Sequence, residues 1–169
     1  EKGCLFYKDN FFQPIQETVN YSINSIFVDG KTIYLANADG RVFQLSKQEN
    51  SVKTETILES SQPIRSIAKI KDELYIGTFN GGLFKVKNGV AEQYITRPRP
   101  FFINILAKDS NENLWLGTEI RGDNSGLYFS ENLPNLKQSG ENLETVNAIG
   151  FDKTTEVWVG INERGAFYF

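Results

Sequence analysis

The sequence predicts an all-β fold, a β-propeller of about four to five four-stranded antiparallel blades, and three observations carry that prediction. An apolar strand bearing one aromatic recurs with a period near 41 residues. Each copy is preceded by a second apolar strand and followed by a third that opens on an aromatic. No stretch holds apolar residues at i, i+3, i+4, i+7 for three turns, so no amphipathic helix competes.

The recurrent strand is Ile33-Tyr34-Leu35-Ala36, Leu74-Tyr75-Ile76-Gly77, Leu114-Trp115-Leu116-Gly117 and Val157-Trp158-Val159-Gly160, its aromatics 41, 40 and 43 residues apart. Ahead of each copy lie Ile23–Ile26, Ile64–Ile67, Ile103–Leu106 and Val146–Ile149. Behind each, a third strand opens on Phe43, Phe84, Tyr128 or Phe167, and more polar β-rich segments such as Lys53–Leu58 and Ala91–Ile95 follow. Four short strands per 40-odd residues, joined by Asn, Asp and Gly turns, describe a propeller blade. The recurrent strand is apolar on both faces, as a sheet covered by two neighbours requires. Ala36, Gly77, Gly117 and Gly160 share a face with the aromatic two residues earlier, and their smallness leaves room for an adjoining blade.

The single domain of residues 1–169 divides into a partial blade at 1–19 holding third and fourth strands, and blades at 20–60, 61–98 and 99–141. A last partial blade, 142–169, lacks its fourth strand. Both ends therefore supply a third strand, and closing four blades would leave one strand surplus. The expected arrangement is a segment of a larger propeller, with association of two such segments as the alternative.

Composition removes several function classes. The net charge is −3 and the basic residues form no run, so no nucleic-acid partner is expected. No apolar run approaches bilayer length, and no membrane insertion by this stretch is expected. With no histidine, His-based triads and histidine metal sites are absent from the chain. Cys4 is the only cysteine, which rules out an internal disulfide and is read as a small buried apolar residue. Neither a cofactor nor a metal is expected.

The units together give an apolar inner strand, a polar turn often led by Asp, then Leu-Trp-Leu-Gly-Thr, then Gly-Leu-Tyr/Phe. That pattern resembles the two-component regulator propeller repeats, over nearly the whole chain. It is best in Lys108–Thr118 and good in Leu74–Thr78 with Gly81–Phe84. It departs at Ala36-Asn37, at Gly160-Ile161 and at Asn113, where the repeat carries Gly-Thr, Gly-Thr and Gly. The resemblance implies the periplasmic sensory region of a bacterial hybrid two-component sensor, acting without covalent chemistry.

Comparing units separates scaffold from site. Asp29, Asp109 and Asp152 recur at one place after the inner strand, which argues for turn capping rather than acid–base chemistry. Asp109-x-Asn111-x-Asn113 imitates the start of a calcium loop but lacks its glycine and closing glutamate. Trp115 and Trp158 read as blade core. Two features break the register. The step from the small residue to the third-strand aromatic is 7 residues in three units and 11 in the third, so Glu119–Ser125 holds an insertion. The same unit is preceded by Arg97-Pro98-Arg99-Pro100-Phe101-Phe102. Both loops leave a propeller on one face, so Arg97, Arg99, Phe101, Arg121 and Asp123 are the ligand-binding candidates. Arg65 joins them, because it stands where the other inner strands carry Asn24, Asn104 and Asn147.

Guanidinium groups beside an aromatic suit an anionic or carbohydrate ligand. A non-catalytic sensory binding module is thus the leading reading. The others are an architectural protein–protein module of a secreted or surface protein, and a carbohydrate-active enzyme, which would need paired carboxylates or a tyrosine base. Other partners expected are further blades of the same protein or a second copy of the chain.

Overall fold

The computed structural model describes residues 3–48, 52–95, 102–119, 125–139, 143–152 and 156–168 of the 169. It is an all-β propeller arrangement of antiparallel blades. A two-stranded sheet, β1 (Leu5–Lys8) with β2 (Phe11–Pro14), comes first and is followed by one 3-10 turn, Gln16–Thr18. Blade 1 is β3 (Ile23–Asp29), β4 (Thr32–Asn37), β5 (Arg41–Lys47) and β6 (Val52–Glu59) in spatial order. Blade 2 is β7 (Ile64–Ile70), β8 (Glu73–Thr78), β9 (Gly82–Lys87) and β10 (Val90–Ile95). Blade 3 is β11 (Ile103–Lys108), β12 (Leu114–Thr118), β13 (Leu127–Ser130) and β14 (Lys137–Ser139). Blade 4 shows three strands, β15 (Val146–Phe151), β16 (Val157–Ile161) and β17 (Gly165–Tyr168).

Each sheet is a meander, and several of its turns are short and chemically fitted. Asn88-Gly89 links β9 to β10 with φ of 51° and 77°, the double positive φ that a two-residue hairpin turn demands. Asp9-Asn10 does the same between β1 and β2 at 53° and 67°. The Gly-Thr step of the repeat also has a mechanical role. The Thr78 hydroxyl accepts from Gly81 N and donates to Gly82 O, and the Thr118 hydroxyl ties Gly126 in the same way, pinning the turn into the third strand. In blade 1 the buried Asn37 replaces that threonine, its amide oxygen accepting from Asp39 N and Arg41 N.

The blades are thin sheets that bury themselves only against one another. Between blades 1 and 2, Tyr34, Ala36, Val42 and Leu58 pack on Ile64, Ile67, Leu74 and Ile76. Between blades 2 and 3, Tyr75 and Leu83 pack on Ile103, Leu106, Leu114 and Leu116. Leu127, Ile105 and Trp115 then meet Val146, Val157 and Val159 of blade 4. The small residues are required at these junctions. A β-carbon built on Gly77 would lie 2.3 Å from Ile103 Cγ2, and one on Gly117 would lie 2.5 Å from Val146 Cγ1.

Two expectations need correction at the ends of the arc. Trp115 is partly buried and packs against the core between blades 3 and 4, stacked 5.0 Å from Phe129 and tilted against Phe151 at 6.0 Å. Trp158 does not: it is 44% exposed, because no described blade follows its face, and it touches Tyr168 of its own sheet at 5.2 Å. Gly160 likewise meets only Ala148 of its own blade. Cys4 is half-buried rather than buried, packed beside Ile15, Leu35 and Phe43, and burial pushes its thiol pKa up.

The recurrent aspartates mostly behave as turn caps. Asp109 accepts from Asn111 N, Asn113 N, Asn113 Nδ2 and Trp115 Nε1 at 2.9–3.0 Å. Asp152 accepts from Glu156 N at 3.2 Å and from Trp158 Nε1 at 3.5 Å. Asp29 departs from them: the residue at the tryptophan's place is Tyr34, which has no indole N–H, and Asp29 instead pairs with Lys69 of blade 2 at 2.7 Å. That hydrogen bond is the main reason the Asp29 pKa is lowered and the Lys69 pKa raised. Glu73 and Glu112 are lowered too, chiefly by bonds from Lys85 and Lys108. Carboxylates lowered on folding stabilise above their unfolded pKa values, near 4, and stop doing so as pH falls through the folded values. Thermal unfolding temperature is therefore expected to hold from pH 7 to 5 and to drop below about pH 4. Asp29→Asn should flatten part of that drop, and an equally steep acid limb in the variant would show that the inter-blade pair is not involved.

Candidate functional site

All four inner strands carry a bulge one residue in, shown by the register shifts Ile23/Ser25, Ile64/Ser66, Ile103/Ile105 and Val146/Ala148. A bulge leaves one residue unpaired and re-aims its side chain. Those residues are Asn24, Arg65, Asn104 and Asn147. Asn24 Nδ2 donates to Ile64 O of the next blade at 3.0 Å, and Asn104 Nδ2 donates to Val146 O at 3.0 Å and Asn147 Oδ1 at 2.7 Å. The asparagine is thus an inter-blade clasp, which gives its recurrence a structural reason.

Arg65 stands in that ladder with a different job. Its Nη1 donates to Asn104 Oδ1 at 3.0 Å, and its guanidinium lies 4.6 Å from the centre of the Phe79 ring. Glu119 Oε2 is 3.9 Å from Nη2. Phe79 in turn meets Phe102 edge-on at 5.8 Å. The side chain remains 40% exposed, so a desolvated face on Phe79 coexists with accessible N–H donors.

The ends of the second strands tie this rim together. Ala38 N donates to Ser22 O, Phe79 N to Pro63 O, Glu119 N to Phe102 O and Asn162 N to Thr145 O, at 2.9–3.2 Å. Each second strand therefore exits beside the start of its own inner strand. In blade 3, the stems of the arginine-bearing linker and of the inserted loop are adjacent through Glu119 and Phe102. Arg97, Arg99, Phe101, Arg121 and Asp123 themselves lie outside the described residues. The position after the strand is Ala38, Phe79, Glu119 or Asn162, with no type repeated, unlike the clasp. Phe79 is the residue the sequence reading missed here, while Glu119 and Phe102 were read only as parts of the two loops and not as site residues. The available signal was the absence of any repeat at that position.

A second concavity lies at the other end of the strands, between blades 2 and 3. It is an open cleft of about 130 Å³ whose lining includes Lys71, Tyr75, Tyr94, Glu112, Ser130 and Glu131. Tyr75 donates to Glu73 Oε2 at 2.8 Å, and Tyr94 packs edge-on against Tyr75 at 5.5 Å. Burial, then the neighbouring Glu73, pushes the Tyr75 pKa upward. Glu73 and Glu112 are held ionised, so these groups sit on the far sides of neutrality from a shared proton shuttle. Ser130 is 3% exposed and its hydroxyl has no partner among the described residues. Among those residues, no group of three Asp, Glu or Cys side chains is close enough to hold a metal ion.

No family model matches the chain. No curated protein sequence matches it either. Solved structures do. The computationally designed Ika4 protein is 12% identical with a TM-score of 0.64, over 88% of this chain and 91% of that one. A gluconolactonase from Xanthomonas campestris is 12% identical with a TM-score of 0.62, over 81% of this chain and 52% of the enzyme. The extracellular domain of a hybrid two component system from B. thetaiotaomicron is 16% identical with a TM-score of 0.52. It matches 97% of this chain, which spans only 29% of that domain. At these identities the likeness concerns the fold alone, and the fold is a β-propeller.

Proposed function

We propose that the chain is a non-catalytic binding segment of a bacterial extracytoplasmic sensor propeller, taking an anionic or carbohydrate ligand on the rim that carries Arg65. The observation that carries this reading is the replacement of a clasp asparagine by an arginine whose guanidinium is stacked, hydrogen-bonded and still 40% exposed. Arg65 keeps an inter-blade bond to Asn104, and its remaining exposed donors, fixed beside an aromatic, suit carboxylate or hydroxyl groups. The repeat pattern and the extracellular sensor domain among the similar structures support the sensory setting. No described helix is long and apolar enough to cross a membrane. Arg97, Arg99, Phe101, Arg121 and Asp123, which lie outside the described residues, are included in the proposal on sequence grounds alone.

Titration calorimetry with galacturonate oligomers, and with neutral galactose oligomers beside them, tests the proposal. Arg65→Asn restores the repeat residue, so the thermal unfolding temperature should stay within about 2 °C of the parent. Affinity should fall about tenfold or more, the scale of one lost charge-assisted bond. Binding of neither oligomer, or equal binding by the variant, would move the assignment to an architectural module. Exposed apolar side chains at both ends of the arc favour that second reading.

A further inference from the structure

The two ends of the arc carry the two halves of one repeated interface. At each internal junction the far face of a blade is a socket: an aromatic, a glycine or alanine two residues on, and small neighbours. The next blade inserts a β-branched knob from the start of its inner strand, Ile103 against Gly77 and Val146 against Gly117. Further along that knob face, Ile67 of blade 2 packs against blade 1 and is 2% exposed. Blade 4 presents the same socket unfilled. Trp158 is 44% exposed, and among the described residues the atoms nearest a β-carbon on Gly160 are those of Ala148 in its own blade.

Blade 1 presents the matching knob face. Strand pairing puts Ile26 opposite Leu35 and Val28 opposite Ile33, on the side facing the β1–β2 sheet. The cluster beside that sheet takes in Leu35, Phe43 and Leu45 with Cys4, Phe6 and Ile23, and Ile23, the counterpart of the Ile103 and Val146 knobs, is left only half-buried where those two are fully buried. Ile26 and Val28, the counterparts of Ile67 and Lys69, are left 59% and 61% exposed. Isolated exposed apolar residues are ordinary; two complementary ones at inter-blade register are not.

We infer that the occupant of each open face is a second copy of this chain, joined head to tail, with the blade 4 socket of one copy on the β3 knob face of the other. A second copy is favoured because one chain carries both complementary halves, and the contact continues the packing of blades 1 to 4. In this arrangement β15 and β16 of one copy lie inside the β1–β2 sheet of the other. The strand that gives way is β17, all four of whose residues are exposed, and β1 takes its place beside β16. Two heterologous contacts close the pair into one ring and leave no socket open.

Sedimentation velocity on the chain from about 1 to 100 µM tests this. A two-chain species is expected, and Ile26→Glu or Trp158→Glu should each shift its dissociation constant upward by 100-fold or more. Both positions are exposed in the single chain, so circular dichroism and monomer unfolding temperature should hardly change. The decisive experiment mixes the two variants. Ile26→Glu keeps an intact socket and Trp158→Glu an intact knob, so the mixture regains one good interface and dimerises more tightly than either variant alone. A parent chain monomeric at 100 µM would overturn the inference and assign both faces to blades of different sequence. Variants that still dimerise, or a mixture no tighter than its parts, would also overturn it.

Discussion

Replacing Gly117 with alanine should cost about 3 kcal/mol of stability, and roughly 6–12 °C of unfolding temperature in a chain of this size. The added methyl would lie 2.5 Å from Val146 Cγ1 and 2.7 Å from its Cβ, with Ile105 Cγ2 at 2.9 Å. None of these atoms is the end of a flexible side chain. Val146 is β-branched, fully buried and fixed at the start of β15, so relief requires moving the strand and with it the blade 3–blade 4 junction. Gly160→Ala is the internal comparison. Its methyl meets only Ala148 Cβ, at 3.2 Å, and the substitution also stiffens the unfolded chain, so the change should stay within about 0.5 kcal/mol. Urea unfolding of the two variants checks the difference. Equal losses at both positions would show that strand propensity, not inter-blade contact, explains the small residue.

That contrast also shows what the sequence could and could not reveal. Strand order within a blade was legible because each signal is local: an alternation of two, a turn residue and an aromatic at fixed spacing. The role of the small residue was legible because it recurs on one face. What the repeat could not reveal is the number of neighbours a face has. Trp158 and Trp115 hold identical places in their units, and only the position of a unit in the arc decides that one indole is covered and the other half exposed. Bulges were invisible for a related reason. They depend on two strands counted against each other, while Asn24, Asn104 and Asn147 look in sequence like ordinary polar residues of a strand.

The candidate site was legible only where it broke a rule. Arg65 was found because three other units answer with asparagine, whereas Phe79 escaped because its position has no rule to break. Among the residues flagged as ligand-binding, Arg65 is the one that falls within the described structure, and there it makes a contact no asparagine could. A stacked guanidinium also keeps more free donors than an asparagine committed to the neighbouring carbonyl. The clasp is thus exchanged, at one position of four, for a group able to reach a ligand.

Asp109→Ala should cost about 2–3 kcal/mol, because it removes one carboxylate and strands several donors at once. Asn111 N, Asn113 N and Asn113 Nδ2 donate to it at 2.9 Å, and Trp115 Nε1 at 3.0 Å. Trp115 is wedged between Phe129 and Phe151, so its indole N–H cannot turn to water without unstacking. Asp152→Ala is the weaker test of the same device. Its bonds are longer, at 3.2 and 3.5 Å, its tryptophan is half exposed, and its loss should stay below about 1 kcal/mol. The pH dependence fixes the mechanism. Burial raises the Asp109 pKa, but the bonds from Trp115 and Asn113 outweigh it and leave the pKa lowered. The stability gap between the parent and Asp109→Asn should therefore be full above about pH 5 and close as pH falls through the folded pKa, which lies below the ordinary aspartate value. Denaturant titrations from pH 7 to 3 measure that gap. A gap that stays constant to pH 3 would mean that the carboxylate acts through its shape alone and that the ionised cap is not what holds the turn.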